Sequence, residues 1–122
     1  MARTLEKRRI GQSSLEITTL GLGCASLAGI FSAVPADQAR ATIHHALDAG
    51  LNHVDTAPQY GLGRSEHLVG DVVRTRRAET ILSTKVGRLL KPVSPDVQDK
   101  GAWVDPLPFD QVYDYSYDGI MR

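Results

Sequence analysis

Three short apolar runs, separated by two stretches with helical spacing, restrict this sequence more than any other feature. Thr18 to Gly23, Leu51 to Val54 and Ile81 to Thr84 each have the length of a buried strand. Between them, Ala39, Ile43, Ala46 and Leu47 fall on one face of a helix, and Leu68, Val69, Val72 and Val73 form the buried stripe of a second. Pro35 suits the first turn of the earlier helix, Asp37 adds negative charge to that turn, and Gly50 supplies the stop. Ser65 reads as the N-cap of the later helix, which runs to about Arg76. Strand, helix, strand, helix, strand in this short alternation predicts a parallel sheet with helical crossovers.

The flanks are of a different kind. Arg8 to Ile10 and Leu15 to Ile17 bracket the polar stretch Gly11 to Ser14, which predicts a β-hairpin. After Gly87 the segment from Leu89 to Phe109 holds four prolines and shows neither helical nor strand period. Residues 88–122 therefore read as a long loop followed by the start of a helix. Because it leaves the third strand, that loop would hang over the strand ends. Trp103 and Phe109, with Tyr113, Tyr115 and Tyr117, would either wall a substrate pocket there or belong to a mobile tail.

Composition removes several function classes. Fourteen basic and fourteen acidic residues leave no net charge, so no broad field draws nucleic acid. The cluster Arg74 to Arg77 reads as cations complementing a helix C-terminus. No apolar run approaches the ~20 residues of a membrane span. A single cysteine, Cys24, excludes an internal disulfide, and the polar amino terminus carries no signal-peptide core, which together predict a cytoplasmic protein. Gly21 to Ser26 departs from the dinucleotide fingerprint, since Ser26 replaces its third glycine and Gly29 and Pro35 interrupt the helix that should follow. His44 and His45 project about 100° apart on a helix, and His53 and His67 stand in no metal-binding spacing, so the sequence predicts no metal site. The H-V-D at His53 to Asp55 is too little to support a barrel metal hydrolase.

The chemistry concentrates in V-D-T-A-P-Q-Y-G-L-G-R-S-E-H-L-V-G, from Val54 to Gly70, and I-L-S-T-K-V-G, from Ile81 to Gly87. Asp55 and Lys85 each close an apolar run, at the strand ends where parallel α/β proteins build their sites. Tyr60 follows Asp55 by five residues. A phenol ionises near pH ~10, so Tyr60 can exchange a proton near neutrality only beside a cation, and Lys85 anchored by Asp55 would be that cation. An acid and an amine on neighbouring strands also form purely structural ion pairs.

Taken together, these three residues in the frame D-T-A-x-x-Y-G-x-x-x-S-E resemble the aldo-keto reductase superfamily, and within it the bacterial dehydrogenases of pyridoxal and threo-aldoses. The resemblance runs from the opening R-R-I-G-Q-S-S-L-E-I-T-T-L-G-L-G to D-P-L-P-F-D-Q-V-Y-D-Y-S-Y-D-G-I-M-R. It implies a (β/α)8 TIM barrel, of which this chain would hold the hairpin cap (1–17), a βαβαβ segment (18–87) and residues 88–122. It also implies an NAD- or NADP-dependent oxidoreductase that interconverts a carbonyl and an alcohol, with Asp55, Tyr60 and Lys85 as catalytic residues. Gly23, Cys24 and Ala25 would lie near the nicotinamide together with Asp55, and Trp103 would contact substrate. A whole barrel takes about 250 residues, so this chain corresponds to the first three βα units or so. The family's catalytic histidine, which lies further along, has no counterpart after His67. The chain alone is therefore expected to be inactive, or to persist as a non-catalytic fragment that associates with itself or with a complementary half-barrel.

Overall fold

A computed structural model describes residues 4–122. The first three residues of the hairpin cap and amino terminus lie outside the described residues. Strand β1 (Lys7–Arg9) pairs antiparallel with β2 (Glu16–Thr18), matching Arg8 with Ile17. The turn between them closes through Ser13, whose backbone N–H and hydroxyl both donate to the Ile10 carbonyl. Asn52 joins this hairpin to the rest of the fold. Its side-chain oxygen accepts from the Thr18 N–H at 2.7 Å, and its amide donates to the Glu16 carbonyl at 2.9 Å.

The three apolar runs yield β3 (Leu22–Gly23), β4 (His53–Asp55) and β5 (Ile81–Ser83), parallel and in the order β3-β4-β5, the first shorter than expected because Thr18 belongs to β2 and Leu20 is exposed. Gly23 pairs with Asp55, and Asp55 with Ser83. Side chains alternate across a strand, so Gly23, Asp55 and Ser83 share one face and Leu22 and Val54 the other. On that second face lie α1 (Ala36–Asp48) and α2 (Arg64–Val73). Ile43 and Leu47 from α1 and Val69, Val72 and Val73 from α2 close a core with Val54 and Cys24, with Leu22 and Leu27 packed against it. Burying each such aliphatic side chain is worth about 1.5 to 3 kcal/mol, so this layer holds the sheet in place.

The helix signals hold unequally. Gly50, at φ +94°, ends α1 as expected: its N–H donates to the Leu47 carbonyl and the Leu51 N–H to that of Ala46, a Schellman pair that satisfies the terminal carbonyls. The N-cap expectation for Ser65 is corrected. Gly63 caps α2, and Ser65 sits inside its first turn, fully buried. Its hydroxyl hydrogen-bonds Thr56 Oγ1 at 2.8 Å and the Cys24 carbonyl at 3.2 Å. The same helix ends at Val73, short of Arg76. Arg76 instead serves the carboxyl end of α1, donating to the His44 carbonyl and pairing with Asp48 at 2.8 Å and Glu79 at 2.6 Å.

Residues 88–122 also differ from the expectation of a long unstructured loop. Strand β6 (Arg88–Pro92) pairs antiparallel with β7 (Phe109–Tyr113) over five matched positions. A short helix α3 (Tyr117–Met121) follows, capped by Ser116, whose hydroxyl accepts from the Gly119 N–H. Charges and a terminal proline hide the period of R-L-L-K-P and F-D-Q-V-Y. Their pairing partners also lie some twenty residues apart, beyond the reach of a local pattern.

Candidate active site

Because Asp55 and Ser83 are paired across β4 and β5, the strand pleat also decides what surrounds the acid. His53, two residues before Asp55, and Lys85, two after Ser83, continue the same face. Lys85 Nζ donates to Asp55 Oδ2 at 2.8 Å and to the Thr56 carbonyl at 2.8 Å. Ser83 Oγ donates to the other oxygen, Oδ1, at 2.6 Å. Burial alone would raise the Asp55 carboxyl, but hydrogen bonds from Lys85 and Ser83 and the charges of Lys85 and His53 outweigh it and hold the group below its ordinary range. Burial likewise works against the Lys85 charge and is outweighed by its hydrogen bond to Asp55 and by the proximity of Asp55 and Tyr60, so its ammonium is held above the ordinary lysine range. The strand ends thus carry a carboxylate and an ammonium that keep each other ionised.

Tyr60 is delivered by the turn between β4 and α2. Gly61, Leu62 and Gly63 all take left-handed backbone, at φ +64°, +51° and +101°. Leu62 accepts that strain because its side chain is buried and because the Leu62 and Gly63 N–H groups donate back to Gln59 and Pro58. A Cβ on Gly61 would stand 2.8 Å from Arg64 Cβ and 3.0 Å from the Ala28 carbonyl oxygen, so glycine is required there on both counts. The result sets the Tyr60 ring under Lys85 Nζ, 4.8 Å from the ring centroid. The acid, the amine and the phenol predicted to act together are therefore in one place.

Trp103 reaches the same place by a longer route. Ile30 and Trp103 form an isolated antiparallel bridge, with the Phe31 N–H donating to Ala102 and the Val104 N–H to Gly29. The Leu107 N–H donates to the Gly61 carbonyl, which ties this loop to the Tyr60 turn. Arg64 braces the assembly, donating to the Val34 carbonyl at 2.7 Å and the Asp105 carbonyl at 3.4 Å. The indole ends 6.1 Å from the Tyr60 ring, tilted by 45°. A cleft of about 220 Å³ opens on the Lys85 side, between Pro58, Gln59, Lys85, Arg88 and Tyr115.

The three residues expected near a cofactor besides Asp55 divide. Gly23 is exposed beside Asp55, and a Cβ there would meet nothing within 4 Å, so a flat ring can approach its backbone. Ala25 is half-buried next to it. The Cys24 side chain is fully buried in the core, where desolvation, aided by Asp55, pushes its thiol up to about 12. Cys24 can therefore meet a ligand only through its backbone. No group of three metal-ligating side chains exists among the described residues. His44, His45 and His67 are exposed.

Ser83, His53 and Arg64 were not among the expected site residues. Strand parity was the available signal for the first two, since each precedes a site residue by two positions. Arg64 gave no local sign, because its partners lie 30 and 41 residues away.

A parallel sheet with helices on one face and an acid, an amine and a phenol gathered at its strand ends defines an α/β protein with an open polar site. The chain belongs to the aldo/keto reductase family, whose sequence profile matches residues 19–109. It is 42% identical to a pyridoxal 4-dehydrogenase of Microbacterium luteolum over 96% of this chain and 37% of that protein. It is 39% identical to a D-threo-aldose 1-dehydrogenase of a Pseudomonas species over 88% of this chain and 34% of that protein. Among solved structures, the glycerol dehydrogenase of Gluconobacter oxydans superimposes with a TM-score of 0.70 at 27% identity, covering 94% of this chain and 32% of that one. The holo form of an aldo-keto reductase from Bacillus halodurans gives 0.64 at 33% identity, covering 81% and 30%. The chain thus spans about a third of the proteins it matches, and its fold is part of their (β/α)8 barrel. Among the described residues no helix is long and apolar enough to cross a membrane.

Proposed function

We propose that these residues serve an NAD- or NADP-dependent oxidoreductase that interconverts a carbonyl and an alcohol, with Tyr60 as general acid and base. The observation that carries this reading is the Lys85 ammonium, which bonds Asp55 at 2.8 Å and lies 4.8 Å from the Tyr60 ring centroid. A cation so placed can stabilise the charge that develops on the phenol oxygen while its proton moves. In reduction Tyr60 gives its proton to the carbonyl oxygen, and in oxidation it takes the proton of the alcohol. Asp55 keeps Lys85 charged and aimed. A bound nicotinamide would supply the hydride in reduction and receive it in oxidation. The open Gly23 backbone beside Asp55, flanked by Ala25 and the Cys24 backbone, would hold its ring, and Trp103 would confine the substrate next to Tyr60. The names of the relatives support an aldehyde, pyridoxal-type or aldose-type substrate.

The test is Tyr60→Phe in a complete barrel that carries these residues. Carbonyl reduction should fall by about 10² to 10⁴, with nicotinamide binding nearly intact, because only the transferable proton is lost. A variant that keeps more than about a tenth of the turnover, against that range, would refute the role of Tyr60.

A further inference from the structure

Asp55 has two carboxylate oxygens, and Lys85 occupies one of them. The other accepts from Ser83 Oγ at 2.6 Å. A serine hydroxyl has one proton to donate. With that proton on Asp55, Ser83 Oγ can only accept from its other close neighbour, His53 Nε2 at 3.0 Å. His53 must then carry its proton on Nε2, and it can do so in either charge state. Its opposite nitrogen explains Gly21. A Cβ at that position would lie 2.8 Å from His53 Nδ1 and 3.3 Å from the ring carbon Cγ, so any side chain there would push the imidazole away from Ser83. Gly21 leaves room for His53, His53 directs the Ser83 hydroxyl, and that hydroxyl fixes the carboxylate oxygen that Lys85 does not hold.

We propose that Ser83, directed by His53, is a positioning residue for Asp55 that orients the carboxylate toward Lys85. The proposal rests on the reading of Asp55 and Lys85 as the pair that serves Tyr60. Without the Ser83 bond the carboxylate could rotate about its last side-chain torsion, and Lys85 would lose a fixed partner beneath the phenol. The titratable groups around Asp55 are His53 on its own strand, Lys85 beyond β5, Tyr60 in the following turn and Cys24 after β3. Of these, Ser83 links only to His53.

The 122-residue chain suffices for the experiment, since neither readout requires turnover. Carbon NMR would follow the Asp55 carboxyl through acid titration in wild type, Ser83→Ala and Ser83→Thr, and nitrogen NMR would read which His53 nitrogen carries the proton. Ser83→Ala should move the Asp55 midpoint upward, and Ser83→Thr, which keeps a hydroxyl, should restore it. Wild-type His53 should be protonated on Nε2, with that preference lost in Ser83→Ala and in Gly21→Ala. Equal Asp55 midpoints in wild type and Ser83→Ala, or a wild-type His53 protonated on Nδ1, would overturn the proposal. Failure of the Tyr60→Phe assay would leave these readouts unchanged, so the two ideas fail separately.

Discussion

At Asp55 the direction of a pH effect follows from which charged form its neighbours hold. Its carboxyl is lowered on folding, so it contributes stability that is present above the unfolded value of about 3.9 and is lost as pH falls through the folded value. Lys85 is raised on folding, so its share is present below about 10.4 and is lost as pH rises through the folded value. The pair is intact across the neutral range. Asp55→Asn should be less stable than wild type at pH 7, with the gap closing below about pH 4. Urea unfolding across a pH series would show it, and a gap that persisted at low pH would contradict it. The two side chains are 48% and 36% exposed, which keeps the expected gap within about 1 kcal/mol. In a complete barrel, Lys85→Met should slow alcohol oxidation by about tenfold or more, because charge developing on the Tyr60 oxygen loses its nearest cation. Turnover equal to wild type would leave Lys85 a purely structural partner. Asp55, Tyr60 and Lys85 were legible in the sequence because their chemistry is unusual and their frame compact. Ser83 carried only the weaker signal of strand parity, which becomes specific once register sets the serine beside an acid.

The elements differ in how much of their fate is local. Helix α1 was legible to within a residue or two, because Pro35, the spacing of Ala39, Ile43 and Leu47, and Gly50 all act over one or two turns. Gly50 offers a clean test of that locality. At φ +94° with nothing within 4 Å of a Cβ, Gly50→Ala meets no clash and should cost about 1 to 2 kcal/mol from the left-handed backbone alone. A midpoint unchanged in denaturant would mean that the turn relaxes without cost. Ser65 shows the opposite case. A hydroxyl just ahead of an apolar stripe has the local look of an N-cap, yet its partners are Thr56 and the carbonyl of Cys24, 41 residues away. Ser65→Ala should therefore destabilise by about 1 to 3 kcal/mol, the cost of leaving buried polar groups unmatched. A lost cap would show as fraying of α2, whereas lost tertiary bonds should lower cooperative unfolding throughout. The β6–β7 pair was illegible for the same reason as Ser65: its evidence is a partner strand and not a local pattern.

The whole molecule has an asymmetry that bears on how it behaves alone. Val54 is fully buried between sheet and helices, whereas Leu82, next to it on that face, is 40% exposed, and Val86 beyond it is 60% exposed. Among the described residues no strand pairs with the outer side of β5 or of β3. An unpaired parallel edge beside exposed aliphatic side chains is a template for another chain. The open face carries the polar side chains of His53, Asp55 and Ser83 with Ile81 half-buried among them, which turns association toward the edges. The 122-residue chain is therefore expected to self-associate and to bind nicotinamide weakly, without turnover, because one side of the proposed site is open. Sedimentation over a range of concentrations should show mass rising with concentration. Leu82→Lys, which places a charge at the β5 edge while sparing Asp55, Ser83 and Lys85, should return the chain toward the monomer. A compact monomer that binds nicotinamide cofactor at micromolar concentration would instead show that three parallel strands and two helices already make a self-sufficient unit.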